Sequence, residues 1–441
     1  MKKLVAMAIM FVLALGVLAA CGNGGGATTP ATGDGGAAAP APAAQTPAAP
    51  APAGSDPVTI RFSMWDTVDE TASFIQAFHA AHDDIRIEIV SIPEDYSTVI
   101  NTMVMGGTAP DVILAWEVDM PRFAANGSIL QLNDRVAASD LVRMDDFMPA
   151  VDALTAVTGG GLYGIPWVYA GHFLYFNKDM FDAAGVAHPT DNWTWEDMAE
   201  AARQLTIREG ANTTQWGLAP IDFGGIWYSM IGQAGDDVVD ANMNLSMGNG
   251  LRRALEFQYA LTNVYEVTPQ PGAGAVGDLF AAGMAAMTRQ GNWFVPGYGD
   301  VPFNWDIVPL PRDRRAHTTL HTGFFTLNAR SAHPEEAWRF IEWMMSYDGQ
   351  RELSQFSANP SAMMSVAAQG YHHVPGTNGP SNWGAFNYFN DYGRFTFVLL
   401  NSTVTGNLVS QFNSVLLGIN SIDHVIDVEV PAAQRELDNL R

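Results

Sequence analysis

Two tryptophan–acid pairs stand where the chain leaves an apolar run. Trp65-Asp66 follows the alternating segment VTIRFSM, and Trp116-Glu117 ends the run that begins at Val112. An indole ring can stack on a flat apolar face, and a neighbouring carboxylate can accept hydrogen bonds from hydroxyl groups at its edge. The chemistry that these residues offer is therefore non-covalent recognition of a small, ring-shaped polar solute.

The residues give no comparable support to catalysis or metal binding. His317 and His321 are four apart in HTTLH, but no Glu follows the first and no third ligand suggests itself, so zinc is not expected. There is no Ser or Cys nucleophile motif and no phosphate loop, so we expect no catalytic residue and no cofactor. One oxygen-rich turn lacks the full calcium-loop pattern. It comprises Asp236, Asp237, Asp240, Asn242 and Asn244.

The hydrophobic periodicity predicts an α/β fold. Residues 58–64 and 85–89 alternate as half-buried strands do, and residues 112–116 form an apolar run typical of a central parallel strand. Helical stripes separate them, the second ending at Gly106-Gly107. Ligands of such sheets gather at the carboxyl ends of the strands, which is where the two tryptophan–acid pairs stand.

Two helix starts are marked by polar residues. Thr67 to Glu70 has the form of a capping box before the first helical stripe, and Thr194 precedes a stripe that runs to Leu205. We therefore expect the first helix to begin near Thr67 and another to begin after Thr194.

The amino terminus is predicted to be a secretion signal. Lys2 and Lys3 precede an apolar run of about 15 residues, which is at the short edge of what spans a bilayer. Leu18 to Cys21 resembles the lipobox of bacterial lipoproteins, in which the signal is cut before the cysteine. The prediction is a signal peptide at residues 1–20 and a lipid anchor at Cys21, the single cysteine of the chain.

Residues 21–56 read as a lipidated cysteine followed by a disordered linker. They are mostly Gly, Ala, Pro and Thr, and they cannot bury enough apolar area to offset the entropy of ordering. The linker would let a folded body stand off from a membrane to which only its lipid attaches it.

Charge and length restrict the partners and the architecture. The 441 residues carry a formal charge of −24, and removing residues 1–20 leaves 20 basic and 46 acidic residues, or −26. Nucleic-acid phosphates would be repelled by such a surface, so no nucleic acid is expected. The remaining stretch is too long for one ordinary core and suggests two lobes.

Six segments, taken in order, resemble the extracellular solute-binding proteins of ABC transporters, specifically the carbohydrate-type family that includes maltose-binding protein. They are GGTAPDVILAW (106–116), FAANGSILQLND (123–134), LYGIPWVYAGHFLYFNKDMFDAAGV (162–186), TWEDMAEAARQLT (194–206), FAAGMAAMTRQGNW (280–293) and HPEEAWRFIEWMMSYDGQ (333–350). The resemblance implies a periplasmic-binding-protein-like fold, with two α/β lobes joined by a multi-segment hinge and the ligand cleft between them.

The resemblance also implies the domain boundaries. The N-lobe would comprise residues 57–168 plus 324–350, and the C-lobe residues 169–323 plus 351–441. The chain would cross between lobes near 167–170, 323–324 and 347–350, and closure about these hinges would bury the ligand.

Trp293 is the leading ligand-binding candidate, because its position matches a family tryptophan that stacks on sugar. The family more often has Gly-Pro-Trp at this point, and Asn292 departs from that pattern. The remaining candidates are aromatic or acidic residues near strand ends or crossings. They are Trp65, Asp66, Trp116, Glu117, Tyr169, Phe223, Trp227, Phe324 and Trp383.

The function implied is that of a monomeric, lipid-anchored, extracytoplasmic receptor that captures a sugar, in particular an oligosaccharide, and presents it to an ABC permease. It would not be an enzyme. A binder of a polyamine or another cation stays open, because Asp66, Glu117 and Asp119 could line the cleft. A surface glycosidase acting through two carboxylates has no specific support, and a purely structural surface protein would not explain the order of the motifs.

Overall fold

The computed structural model describes residues 56–147, 158–240, 244–272, 277–373, 378–396, 400 and 402–440. The predicted signal peptide, the predicted lipid anchor Cys21 and the predicted linker up to residue 55 lie outside the described residues, as does Asn242 of the oxygen-rich turn. No helix among the described residues is long and apolar enough to cross a lipid bilayer.

The first sheet has a parallel centre. Strand β1 pairs in parallel with β2 and β3, and β10 adds antiparallel to both β3 and β4 and parallel to β11. The strands of this sheet are β1 (Val58–Met64), β2 (Ile85–Ser91), β3 (Val112–Trp116), β4 (Ile165–Ala170), β10 (Thr318–Leu327) and β11 (Gly393–Phe395).

A second, antiparallel sheet follows directly from the first. Gly171 alone separates β4 from β5 (His172–Asn177), which is the central strand of this sheet between β8 (Met287–Gly291) and β9 (Trp305–Pro309). A hairpin of β6 (Ile207–Glu209) and β7 (Asn212–Gln215) stands beside it. The α/β class and the two-lobed architecture predicted from the sequence are confirmed, with one main sheet for each lobe.

Helices cover both sheets. They are α1 (Ser73–Ala81), α2 (Tyr96–Gly106), α3 (Met120–Ala125), α4 (Asn133–Ala138), α5 (Lys178–Ala184), α6 (Trp195–Leu205), α7 (Gly224–Gln233), α8 (Gly248–Tyr259), α9 (Pro334–Met344), α10 (Tyr347–Ser357), α11 (Met364–Ala367), α12 (Tyr388–Tyr392), α13 (Ser402–Leu416), α14 (Ile422–His424) and α15 (Val430–Leu440). Short 3-10 or π turns lie at Met144–Asp146, Ala260–Val264, Asn292–Phe294, Gly297–Asp300, Trp383–Asn387 and Val425–Glu429.

The helix boundaries test the sequence signals one by one. Helix α2 ends at Gly106 as expected, with Gly107 in the left-handed conformation at φ 70°. Thr194 and Asp197 form the reciprocal capping box of α6. The capping box expected at Thr67 is wrong: Asp69 instead accepts hydrogen bonds from the backbone N–H and the hydroxyl of Thr71, and α1 begins only at Ser73.

The core of the first sheet extends past the predicted third crossing. Phe62, Phe74 and Phe340 share one cluster of buried residues with Leu353 of α10 and with Val366. Residues 351–366 thus pack with the first sheet, although the expected boundary assigned them to the C-lobe. The boundaries themselves stay predictions.

Candidate functional site

A cavity of about 390 Å³ opens where β1 and β3 end. Its walls come from both sheets, since β1, β3, β4 and β10 belong to the first and Trp293 is the second residue after β8 of the second. The lining residues are Trp65, Asp66, Trp116, Trp167, Val168, Ala170, Trp293, Pro296, His321, Thr322, Gly323, Phe356, Ser357 and Asn359.

Three indole rings form one side of the cavity. The ring centroid of Trp65 lies 5.2 Å from that of Trp116 and 5.3 Å from that of Trp167, and Tyr96 packs edge-on behind it at 5.6 Å. Mutual packing restrains each ring, so this wall needs little ordering when a ligand arrives.

Trp293 contributes a fourth indole from the second sheet. Its ring packs edge-on against Phe223 at 5.3 Å and against His321 at 5.9 Å. A β-carbon on Gly291 would come within 2.2 Å of the Trp293 ring, and one on Gly323 within 2.3 Å of the Trp65 ring. Each indole therefore packs directly against the backbone of a glycine, and a residue with a β-carbon at that position would overlap the ring.

Glu117 does not line the cavity. Its side chain is 0% exposed, with Oε1 2.8 Å from Nδ1 of His321 and Oε2 accepting the backbone N–H of Thr322 at 2.7 Å. Neighbouring residues at a strand end point to opposite sides, so Trp116 faces the cavity while Glu117 turns toward β10. The carboxylate supports two lining residues from behind.

Asp66 is the one carboxylate among the cavity-lining residues. Its side chain is exposed, yet the surrounding walls displace much of its water, and this burial raises the pKa of Asp66 above its usual value. Asp119, the third acid of the cation alternative, is buried and bonded to Ser97 at 2.8 Å and to Arg122 at 3.0 Å. Two of the three carboxylates considered for a cationic ligand are thus occupied elsewhere.

Several aromatic candidates lie away from the cavity. Trp227 and Phe324 are 0% and 1% exposed and belong to the hydrophobic cores, so their expected place at the ligand is corrected. Helix α7 is buried over nearly its whole length, and Trp227 packs against Phe412. The hydroxyl of Tyr169 bonds to Asn390 at 3.2 Å, also outside the cavity.

The other two aromatic candidates, Phe223 and Trp383, are also absent from the cavity lining, but only Phe223 packs against it. Phe223 is not among the lining residues but packs directly behind Trp293 and His321. Trp383 instead stacks on His373, with ring centroids 4.4 Å apart, in a separate aromatic group. The structure therefore brings together Trp65, Asp66, Trp116 and Trp293 of the predicted set, with Phe223 in a supporting layer.

Among the polar lining residues, the sequence predicted only Asp66. It also missed Trp167, which stands two residues before Tyr169 and so shares its face of β4, which means that alternation could not decide between the two aromatics. Phe356, Ser357 and Asn359 come from the end of α10 and the residues after it, where no local pattern distinguishes them from an ordinary helix end.

Several histidines are buried in the protein interior. Within the part of the chain that the structure describes, no group of three or more His, Cys, Asp or Glu side chains could hold a metal ion. His172 and His317 are buried, and desolvation lowers the pKa of His172 well below 6.5 and that of His317 to about 4. Both are neutral components of the protein interior at physiological pH.

Comparison with known proteins identifies one family. The sequence profile of the family described as "Bacterial extracellular solute-binding protein" matches residues 73–378. A protein of Streptomyces antibioticus named as an uncharacterized lipoprotein is 26% identical over 324 residues, which are 66% of this chain and 67% of the relative. An arabinooligosaccharide-binding protein of Halalkalibacterium halodurans is 28% identical over 259 residues, covering 55% of this chain and 56% of its own length. The chain thus aligns with little more than half of the second relative.

Solved structures share the fold. An ABC substrate-binding protein of Listeria monocytogenes, solved in complex with cycloalternan, superposes with a TM-score of 0.75 at 20% identity, over 87% of this chain and 99% of that one. The GacH receptor of Streptomyces glaucescens, solved unliganded and with acarbose, gives 0.73 at 20% identity over 86% and 98%. At this identity the likeness establishes the fold alone.

Proposed function

Because the chain belongs to the bacterial extracellular solute-binding proteins, we propose that it captures an uncharged saccharide in the tryptophan-lined cavity and delivers it to an ABC importer. The observation that carries the proposal is the composition of the cavity wall. Four indoles line a space that holds one carboxylate and several neutral hydrogen-bonding groups.

That composition suits the chemistry of a sugar. Pyranose rings offer C–H faces that indoles cover, while hydroxyl groups at the rim bond to Asp66, Thr322, Ser357 and Asn359. A fully cationic ligand would favour several converging carboxylates, but Glu117 already has two internal hydrogen bonds. The relative named an arabinooligosaccharide-binding protein and the structure of similar fold solved with cycloalternan support an oligosaccharide as the ligand class.

The proposed cycle is capture by closure. A saccharide that contacts residues of both sheets binds the closed arrangement more tightly than the open one, so it shifts the population toward closed. The closed form is then the one that the permease recognises. Binding without turnover follows, because the proposal requires no bond to break.

The proposal includes attachment to the outer face of the cell membrane through acyl chains on Cys21, with the folded part acting as a monomer. Support comes from the lipobox-like sequence at residues 18–21 and from the relative that is named a lipoprotein. Loss of membrane association and of labelled palmitate in Cys21→Ser, with normal synthesis of the protein, is the expected result. Retention of the label would contradict the anchor.

Calorimetry and thermal shift against a panel of neutral oligosaccharides test the ligand class. At least one saccharide should bind and raise the melting temperature, and its affinity should change little between 0.05 and 0.5 M NaCl. Binding of spermidine that weakens steeply with salt, with no saccharide bound, would favour the cationic alternative. New reducing ends after incubation with glycans would identify a glycosidase instead.

A further inference from the structure

Asn292 makes an unusual set of contacts for a residue next to a cavity tryptophan. It is 0% exposed, and its backbone N–H donates to the carbonyl of Gly171 at 3.0 Å. Its side-chain Oδ1 accepts the N–H of the same Gly171 at 2.8 Å, and its Nδ2 donates to Oδ1 of Asn359. One buried side chain thus connects two segments distant in the sequence.

Both segments are part of the cavity's framework. Gly171 is the single residue between β4 of the first sheet and β5 of the second, so the chain crosses between sheets there. Asn359 lines the cavity beside Ser357, and it is held in turn by its own bond to the carbonyl of Ser357 at 3.0 Å and by the hydroxyl of Ser354 at 2.8 Å.

The segment that Asn359 belongs to has an uncommon backbone. Ala358, buried at 1% exposure, has φ 51°, the left-handed conformation that residues with a β-carbon rarely adopt. Such a conformation persists when the surroundings fix it, and the bonds of Asn359 on its following side do so. The contact with Asn292 is the one among these bonds that ties the wall formed by Phe356, Ser357 and Asn359 to the residue before Trp293.

We propose that Asn292 is a positioning residue that joins the cavity wall carrying Trp293 to the wall carrying Phe356, Ser357 and Asn359. Trp293 is the next residue in the chain, so the hydrogen bonds of the Asn292 side chain fix the backbone from which the Trp293 indole projects. The role needs both an acceptor and a donor on a short side chain: alanine offers neither, and aspartate lacks the donor. The consequence for ligands rests on the proposed function, whereas the consequence for Trp293 does not.

Fluorine NMR of the full chain labelled with 5-fluorotryptophan tests the positioning without any ligand. The Trp293 resonance is assigned by its loss in Trp293→Phe. We expect both Asn292→Ala and Asn359→Ala to move or broaden that resonance, because each removes one end of the bond between the two side chains. Asn304→Ala is the matched control, since Asn304 bonds to Asp179 at 2.9 Å outside the cavity and should leave the Trp293 resonance in place.

Saccharide affinity is the second readout. Asn292→Ala and Asn359→Ala should each weaken binding at least tenfold, and the double variant should lose clearly less than the two single losses combined, because the bond between the two side chains is lost in all three variants. Asn359→Asp keeps an oxygen that can accept from Asn292 but loses the donor to the carbonyl of Ser357, so its Trp293 resonance should stay closer to that of the wild type than the resonance of Asn359→Ala does.

An unchanged Trp293 resonance in both alanine variants would overturn the proposal, as would losses of affinity that add in the double variant. If Asn292→Ala fails to fold, Asn359→Ala removes the same bond from the other side. If the wild-type chain binds no saccharide, the proposed function fails, and the fluorine spectra still decide whether Asn292 positions Trp293.

Discussion

Glu117 offers a direct test of whether a carboxylate beside a cavity tryptophan contacts the ligand or supports the fold. Its two oxygens are occupied by Nδ1 of His321 and the backbone N–H of Thr322, at 2.8 and 2.7 Å. Replacing it with alanine leaves both partners buried without an acceptor. Leaving a buried hydrogen-bond donor without its acceptor costs about 1–3 kcal/mol, so the loss of both bonds should cost about 2–6 kcal/mol.

The expected change in melting temperature follows from the size of the folded unit. Unfolding entropy of about 2.1 cal/mol/K per residue over Ser55–Arg441 amounts to about 0.8 kcal/mol/K, so Glu117→Ala should melt about 2–7 °C lower. Glu117→Gln has the same shape, and its amide oxygen can still accept from Thr322. Its loss should be smaller, about 1–3 kcal/mol, because only the bond to His321 is disrupted.

Calorimetric melting and saccharide titration of both variants separate the two roles. We expect Glu117→Gln to bind saccharide within threefold of wild type, since its side chain is absent from the cavity surface. Glu117→Gln with an unchanged melting temperature and a loss of affinity beyond tenfold would refute this reasoning. Glu117 would then be a ligand contact, as the sequence predicted.

Three further results are expected. Trp293→Ala should lower saccharide affinity at least tenfold, as truncation of a buried aromatic contact does. It should destabilise the apo protein less than Trp227→Ala, which empties a fully buried core position at a cost of about 3–5 kcal/mol. Equal losses of melting temperature in the two variants would place Trp293 in the core. Gly323→Ala should displace Trp65, since the new β-carbon lies within 2.3 Å of its ring, and an unshifted Trp65 in a crystal structure of the variant would contradict this. The free energy of unfolding should fall as the pH drops from 6.5 toward 4. In that window His317 becomes protonated in the unfolded chain but stays neutral in the folded protein, where burial lowers its pKa to about 4. Denaturant titrations at several pH values should show that the free energy of unfolding of His317→Gln falls less steeply with decreasing pH than that of the wild type.

The sequence predicted the fold because the local signals agreed with one another. The alternating run that became β1, the apolar run that became β3 and the glycines that end α2 each carry their own period or backbone requirement. The capping signal at Thr67 was misread because Asp69 makes a local turn that uses the same residue types. Competing local hydrogen bonds of this kind cannot be separated from a helix cap by composition.

The site was predictable where position along a strand decides it. Trp65 and Trp116 stand at the ends of parallel strands, and both line the cavity. The role of Glu117 could not be derived, because its partners lie more than 200 residues away on β10. The placement of Trp227 could not be predicted for a different reason. Helix α7 is buried on nearly every side, so it has no polar face that would show which of its aromatic side chains faces solvent.

The glycines that contact the two cavity indoles, Gly291 and Gly323, limit how the ligand selectivity of this receptor could change. An indole that packs directly against a glycine backbone cannot move away from the cavity, so a larger ligand cannot be accommodated by a shift of Trp65 or Trp293. Additional space must come from other lining residues, such as Phe356 and Ser357, which are only partly buried at the end of a helix. Libraries that seek new selectivity should randomise positions 356 and 357 and leave Gly291 and Gly323 untouched.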